Sequence, residues 1–104
     1  PVVGDWRLFA VAEGDQIRYF YSIEATLFLR ENRSASLHYG DRSYEIEDWR
    51  YDRQEKNYTV FRWDEEALPN GFYYCRDGTS PYDRCLIIPL PEGETLIFHR
   101  ENES

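Results

Sequence analysis

The two ends of this 104-residue chain carry the same kind of segment. Gly4-Asp5-Trp6-Arg7-Leu8 near the start sets Trp6 and Leu8 on one face, and Thr95-Leu96-Ile97-Phe98-His99-Arg100-Glu101 near the end sets Leu96 and Phe98 on one face. Period-two alternation marks a strand with one face in a core. A tryptophan opening the first strand and an arginine closing the last suit a sheet that curls round until those strands meet. A closed barrel has an inside, and an inside can hold a ligand.

One hundred and four residues are too few to divide into two cores that each repay their folding entropy, so a single domain is expected. Aromatic residues make up 17% of the chain, which makes them a main source of buried area and favours strands over helices. The net charge of -8 argues against nucleic acid, whose phosphate backbone requires a basic stripe that the sequence does not show, while leaving a cationic protein partner open. No run approaches the roughly 20 apolar residues of a membrane-spanning helix. No signal-peptide pattern is present, and the chain begins at Pro1 without methionine, as a trimmed precursor or a fragment would.

Alternation organises most of the chain. Val3 to Val11 reads as the first strand, with Trp6, Leu8 and Ala10 on one face. Ile17 to Ser22 is aromatic-rich and fits a strand, a short helix or a covering loop. Ala25 to Arg30 and Ser34 to Tyr39 form a hairpin pattern around Glu31-Asn32-Arg33, with Leu27 and Leu29, then Ala35, Leu37 and Tyr39, facing one side. The long segment Ser43 to Arg53 changes parity between Tyr44, Ile46 and Trp49, Tyr51, which predicts a β-bulge near Glu47 and Asp48. Tyr58 to Trp63, Phe72 to Arg76, Arg84 to Leu90 and the final segment complete about eight strands in meander order. That order predicts an all-β, small antiparallel up-and-down β-barrel, with a two-sheet sandwich as its rival.

Cys75 and Cys85 flank a stretch with two turn formers, so two antiparallel strands bring the sulfurs together and a disulfide is expected. Such a bond implies an oxidising compartment, hence an exported protein, periplasmic or extracellular. The alternative is a pair of thiols in the cytosol. Asn32, Asn57 and Asn102 each begin a glycosylation sequon, which carries sugar only in a eukaryotic secretory setting.

The order GDW, TLFLRENRSASL, DWRYDRQEKNYTVF and TLIFHRE resembles the small bacterial lipocalin-like domains of the calycin type. The resemblance implies that the first-strand tryptophan packs at the closed end of the barrel beneath the basic residue of the last strand. Trp6 and Arg100 are the matching positions, and a cation-π stack between them is expected.

No catalytic constellation stands out, and a non-enzymatic protein without cofactor is expected. His38 and His99 lack further ligands at metal spacing and fall on outward positions. Asp64-Glu65-Glu66 lacks the glycine and spaced oxygens of a calcium loop, and the glycines are isolated at turns. The surplus of aromatics suits a pocket instead. Tyr19, Tyr21, Trp49, Tyr51, Tyr58 and Tyr74 are its candidate lining, with entry past Ile17 to Ser22 and Asp64 to Gly71. The function expected is therefore binding of a small apolar or amphipathic ligand. The alternative is a protein-binding module, an inhibitor or envelope component, whose acidic surface meets a basic protein partner.

Overall fold

A computed structural model describes residues 2–19, 25–63, 66, 68, 70–78 and 82–100. All regular structure among them is strand: β1 (Gly4–Glu13), β2 (Gln16–Tyr19), β3 (Ala25–Leu29), β4 (Ala35–Tyr39), β5 (Arg42–Ile46), β6 (Trp49–Gln54), β7 (Tyr58–Trp63), β8 (Phe72–Cys75), β9 (Leu86–Pro89) and β10 (Glu94–Arg100). They form one sheet in the order β5-β4-β3-β1-β10-β9-β8-β7-β6, with β2 paired to β1, and every pairing is antiparallel. The result is a nearly closed barrel, and the first and last long strands meet as their matched ends anticipate.

Closure depends on how two neighbours in sequence share the work. β5 and β6 stand at opposite ends of the strand order, yet only Glu47 and Asp48 separate them. Following the antiparallel pairings round the sheet gives both strands the same direction, so they act as one long strand bent at Glu47-Asp48. Its first half pairs with β4 and its second with β7. The bend is pinned from the β3–β4 turn, where the Trp49 backbone N–H donates to the Arg33 carbonyl at 2.8 Å and the Trp49 indole donates to the Ser34 carbonyl at 3.1 Å. The expected β-bulge near Glu47 and Asp48 is thus a break between two ladders. The parity change is real, but it arises because neither residue pairs across the sheet. A bulge does occur further on, where the β6–β7 register slips between Tyr51 and Arg53.

A second register shift corrects the first strand. Between Leu8 and Ala10 the β1–β10 ladder gains a residue at Phe9, which reverses parity. Trp6, Leu8 and Val11 consequently face the core, whereas Ala10 turns outward to pack with Ile97 and Cys85. Ala10 therefore does not share the face of Trp6 and Leu8. Phe9 lies over the His99 ring with centroids 4.0 Å apart.

The inner faces meet in one apolar cluster that includes Trp6, Leu27, Leu37, Trp49, Phe72 and Phe98. Ser36 is the buried polar residue among those described, and it sits on the outer side of the sheet. Its hydroxyl accepts from Arg30 and donates to Glu45, each at 2.7 Å, so its burial leaves no polar atom stranded. Ile17 to Tyr19 belong to β2, while positions 20–24, and with them Tyr21, lie outside the described residues.

The expected disulfide is absent: Cys75 and Cys85 are both thiols. They do lie opposite one another, with the Cys75 N–H donating to the Cys85 carbonyl at 2.9 Å. Their side chains, however, occupy different surroundings. Cys85 packs with Ala10 and Ile97 and directs its Sγ to the Asp83 carbonyl at 3.6 Å, whereas Cys75 lines an outer groove beside Tyr58 and Tyr73. Burial, with Asp83 nearby, pushes the Cys75 thiol up, away from the thiolate that disulfide exchange needs. The inference of an oxidising compartment loses its ground with the bond.

Candidate functional site

Alternation along β1 and β10 points Trp6 and Arg100 inward on paired positions, and the sheet curvature brings the guanidinium over the indole. Arg100 Cζ lies 4.4 Å from the Trp6 ring centroid, and Arg100 Nη1 donates to the Val3 carbonyl at 3.0 Å. The Trp6 indole N–H donates to the Val2 carbonyl at 2.9 Å. Gly4, at φ +135°, makes room for this arrangement, because a Cβ there would stand 2.9 Å from Arg100 Nη1. Tyr74 packs edge-on against Trp6 at 6.1 Å. This end of the barrel is filled, with its indole N–H satisfied.

A different aromatic group forms on the inner faces of β6, β7 and β8. Cross-strand pairing sets Trp49 opposite Trp63, Tyr51 opposite Phe61 and Phe61 opposite Phe72. Phe61 and Phe72 stack with centroids 4.8 Å apart, and Trp63 leans on Phe72 at 4.9 Å. Trp49 meets Phe61 and Phe72 edge-on at 5.9 and 6.1 Å. Tyr51 meets Phe61 edge-on at 6.3 Å and remains 56% exposed. The rings therefore form a continuous wall from solvent at Tyr51 to the interior at Phe72 and Trp63.

Of the three tryptophans, two give their indole N–H to a backbone carbonyl; Trp63 is only 3% exposed, and its Nε1 has no acceptor among the described residues. Close by, Gly71 sits at φ +93° where any Cβ would collide with the Phe61 carbonyl oxygen. Only glycine lets the backbone at this position approach β7 so closely, and Leu68, three residues earlier, is buried in the core cluster.

The six candidate lining residues are thereby separated. Trp49 and Tyr51 stand together on the aromatic wall. Tyr74 belongs to the Trp6 end. Tyr58 faces outward, edge-on to Tyr73 at 5.5 Å, in a groove of about 240 Å³ that also involves Arg53, Cys75 and Ile87. The Tyr19 backbone pairs with Ala10 on β2, its side chain lies outside the described set, and so does the whole of Tyr21. Phe61, Trp63 and Phe72 complete the wall and are not among the six candidate lining residues. The alternating aromatics of Tyr58 to Trp63 held part of the signal, but only the pairing of three strands shows that they converge.

Carboxylates collect at the other candidate surface. Glu13 pairs directly with Glu94 across β1 and β10, and Asp15, Asp41 and Glu92 lie on or beside the turns at the same end. Like charges directly opposite one another in a ladder are unfavourable. Glu94 is offset partly by the Tyr39 hydroxyl, which donates to it at 2.9 Å, and Glu92 by Arg42 at 3.7 Å. Burial first, and then the Glu94 carboxylate, push the Tyr39 hydroxyl up to about 12. On the outer face of β6 and β7, the hydrogen bond from Arg62 holds the Asp52 carboxyl below its ordinary range, with Arg53 assisting.

Among the described residues no group of three metal-ligating side chains occurs, and no helix is long and apolar enough to cross a membrane. No protein-family model, curated protein or solved structure matches the chain.

Proposed function

We propose that this barrel is a non-enzymatic, lipocalin-like protein of the calycin type that binds a small apolar or amphipathic ligand against the wall formed by Trp49, Tyr51, Phe61, Trp63 and Phe72. The observation that carries this reading is the continuity of the wall. Fully buried rings stabilise a fold by leaving water. A ring left 56% exposed at the end of such a series, as Tyr51 is, gains little for the fold but offers an incoming apolar molecule its first contact. The test is titration with N-phenyl-1-naphthylamine, an uncharged fluorophore that brightens in apolar surroundings. Saturable one-to-one binding is expected, weakened several-fold in Tyr51→Ala, a substitution at an exposed position that leaves the fold intact. Emission that never saturates, or an unchanged affinity in the variant, would reject the wall as the site.

A second reading is favoured by Glu13 facing Glu94: a protein-binding module whose acidic end receives a basic partner. Cationic side chains placed there would relieve a repulsion that the free protein carries. Binding of a lysine-rich peptide should then weaken steeply between low and physiological salt and should be lost in Glu13→Gln/Glu94→Gln. Salt-insensitive binding, or none, counts against this reading.

A further inference from the structure

Trp63 poses a question that its neighbours do not answer. Taking an indole N–H out of water without giving it an acceptor is unfavourable, and native proteins rarely leave such a donor stranded. The side chain could have been phenylalanine at no hydrogen-bonding loss. Among the described residues, Trp49 and Phe72 present rings to it, and none accepts a hydrogen bond from its Nε1. A buried water is a poor occupant, because it needs two to four polar partners and these rings supply one donor.

We infer that the ligand is an uncharged, largely apolar molecule carrying a hydrogen-bond acceptor, of the ketone, ester or amide kind, whose oxygen accepts from Trp63 Nε1. This rests on the ligand-binding reading above and names the class of molecule. Each part of the description has its own ground. The stranded group is a donor, so the ligand must bring an acceptor; a cation brings none. A carboxylate or phosphate would leave water for the interior of a chain of net charge -8, and Arg33, the guanidinium described over the wall at Trp49, is itself exposed to water rather than buried beside Trp63. A neutral carbonyl oxygen is an acceptor that one N–H can satisfy without a charge being buried. The aromatic wall holds the apolar body, and Trp63 fixes its orientation.

The experiment compares two probes of nearly the same shape, 2-acetylnaphthalene and 2-isopropylnaphthalene, which differ in whether an acceptor is present. Binding is followed in the intact protein by the three indole N–H resonances. The ketone should move the Trp63 resonance downfield while the hydrocarbon should not. The ratio of ketone to hydrocarbon affinity should fall about fivefold in Trp63→Phe, the fold-change expected for one net hydrogen bond. Taking the ratio cancels the different water solubilities of the probes. Should Trp63→Phe fold poorly, the resonance shift in the wild-type protein decides alone. If both probes bind, the Trp63 resonance stays put and the ratio is unchanged, this inference fails and the ligand-binding reading stands. If neither binds, the ligand-binding reading fails and takes the inference with it. A long-lived water detected on the Trp63 N–H in the ketone complex would also overturn the inference.

Discussion

Trp6 and Trp63 are both buried indoles on inward-facing strand positions, yet they are treated in opposite ways. Trp6 has its N–H on the Val2 carbonyl and its ring beneath Arg100, at a position that Gly4 keeps clear. Trp63 has apolar contacts and an N–H with no acceptor among the described residues. Where every polar capacity of a buried group is met, the group serves the fold. Where one is left over, the fold alone does not account for the residue, and a molecule outside the chain becomes the natural partner.

The largest effect should come from truncating the satisfied residue: Trp6→Ala is expected to cost about 3 to 5 kcal/mol in urea unfolding. A sharper test applies one change to both sites. Trp6→Phe and Trp63→Phe remove the same atoms, but the first also strands the Val2 carbonyl and weakens the Arg100 stack. It should therefore be the more destabilising by about 1 to 3 kcal/mol, and equal costs would erase the distinction between the two regions. Trp6→Phe should in turn leave probe affinity unchanged, which a shared cavity would contradict.

Away from both tryptophans, the rim at Tyr39 should show in alkali. Its folded pKa lies above the ordinary value near 10, so the native state holds that proton longer than the unfolded chain does. The associated stability is fully present below about pH 10 and is lost as pH rises toward about 12. Relative to Tyr39→Phe, the wild type should lose about 1 to 2 kcal/mol across that window in stability measured against pH.

The smallest effect concerns a second arginine over a tryptophan. Arg33 adopts φ 75°, a conformation usually left to glycine, in a turn closed by hydrogen bonds from Arg33 and Arg30, and its guanidinium lies 4.9 Å from the Trp49 ring centroid. Arg33→Ala loses the ring contact and keeps the strain, costing about 0.5 to 1 kcal/mol. Arg33→Gly loses both and should melt within about 0.5 kcal/mol of the wild type. A cost as large as that of Trp6→Phe would mean that the two arginine–tryptophan pairs are equivalent after all.

Much of the fold was legible in the sequence because strand alternation is a local property. The Leu27, Leu29 and Leu37 faces and the bend after Ile46 follow from side chains within a few positions of one another, and the closure of the first strand on the last was expected from their matched ends. What was not legible depends on single-residue offsets or on partners far along the chain. Phe9 adds one residue to one strand and sends Ala10 to the opposite face, and nothing in Phe9-Ala10-Val11 announces it. Cys75 and Cys85 were placed opposite each other correctly, yet both are thiols, and the different packing round each sulfur is not carried by sequence spacing. The wall was half visible in Trp49 and Tyr51. Phe61, Trp63 and Phe72 join it only through the register of β6, β7 and β8, and the stranded N–H of Trp63 is a property of three dimensions alone.

The bend at Glu47-Asp48 bears on how the molecule comes apart. Because only two residues join β5 to β6, whatever loosens the β3–β4–β5 side pulls on the same covalent segment that holds β7. Neither half of the barrel can detach as an independent unit while the other persists, so amide protons on β4 and on β7 should exchange with solvent through the same global opening. Two residues with no ladder partner of their own thus serve as the hinge pin of the protein's cooperativity.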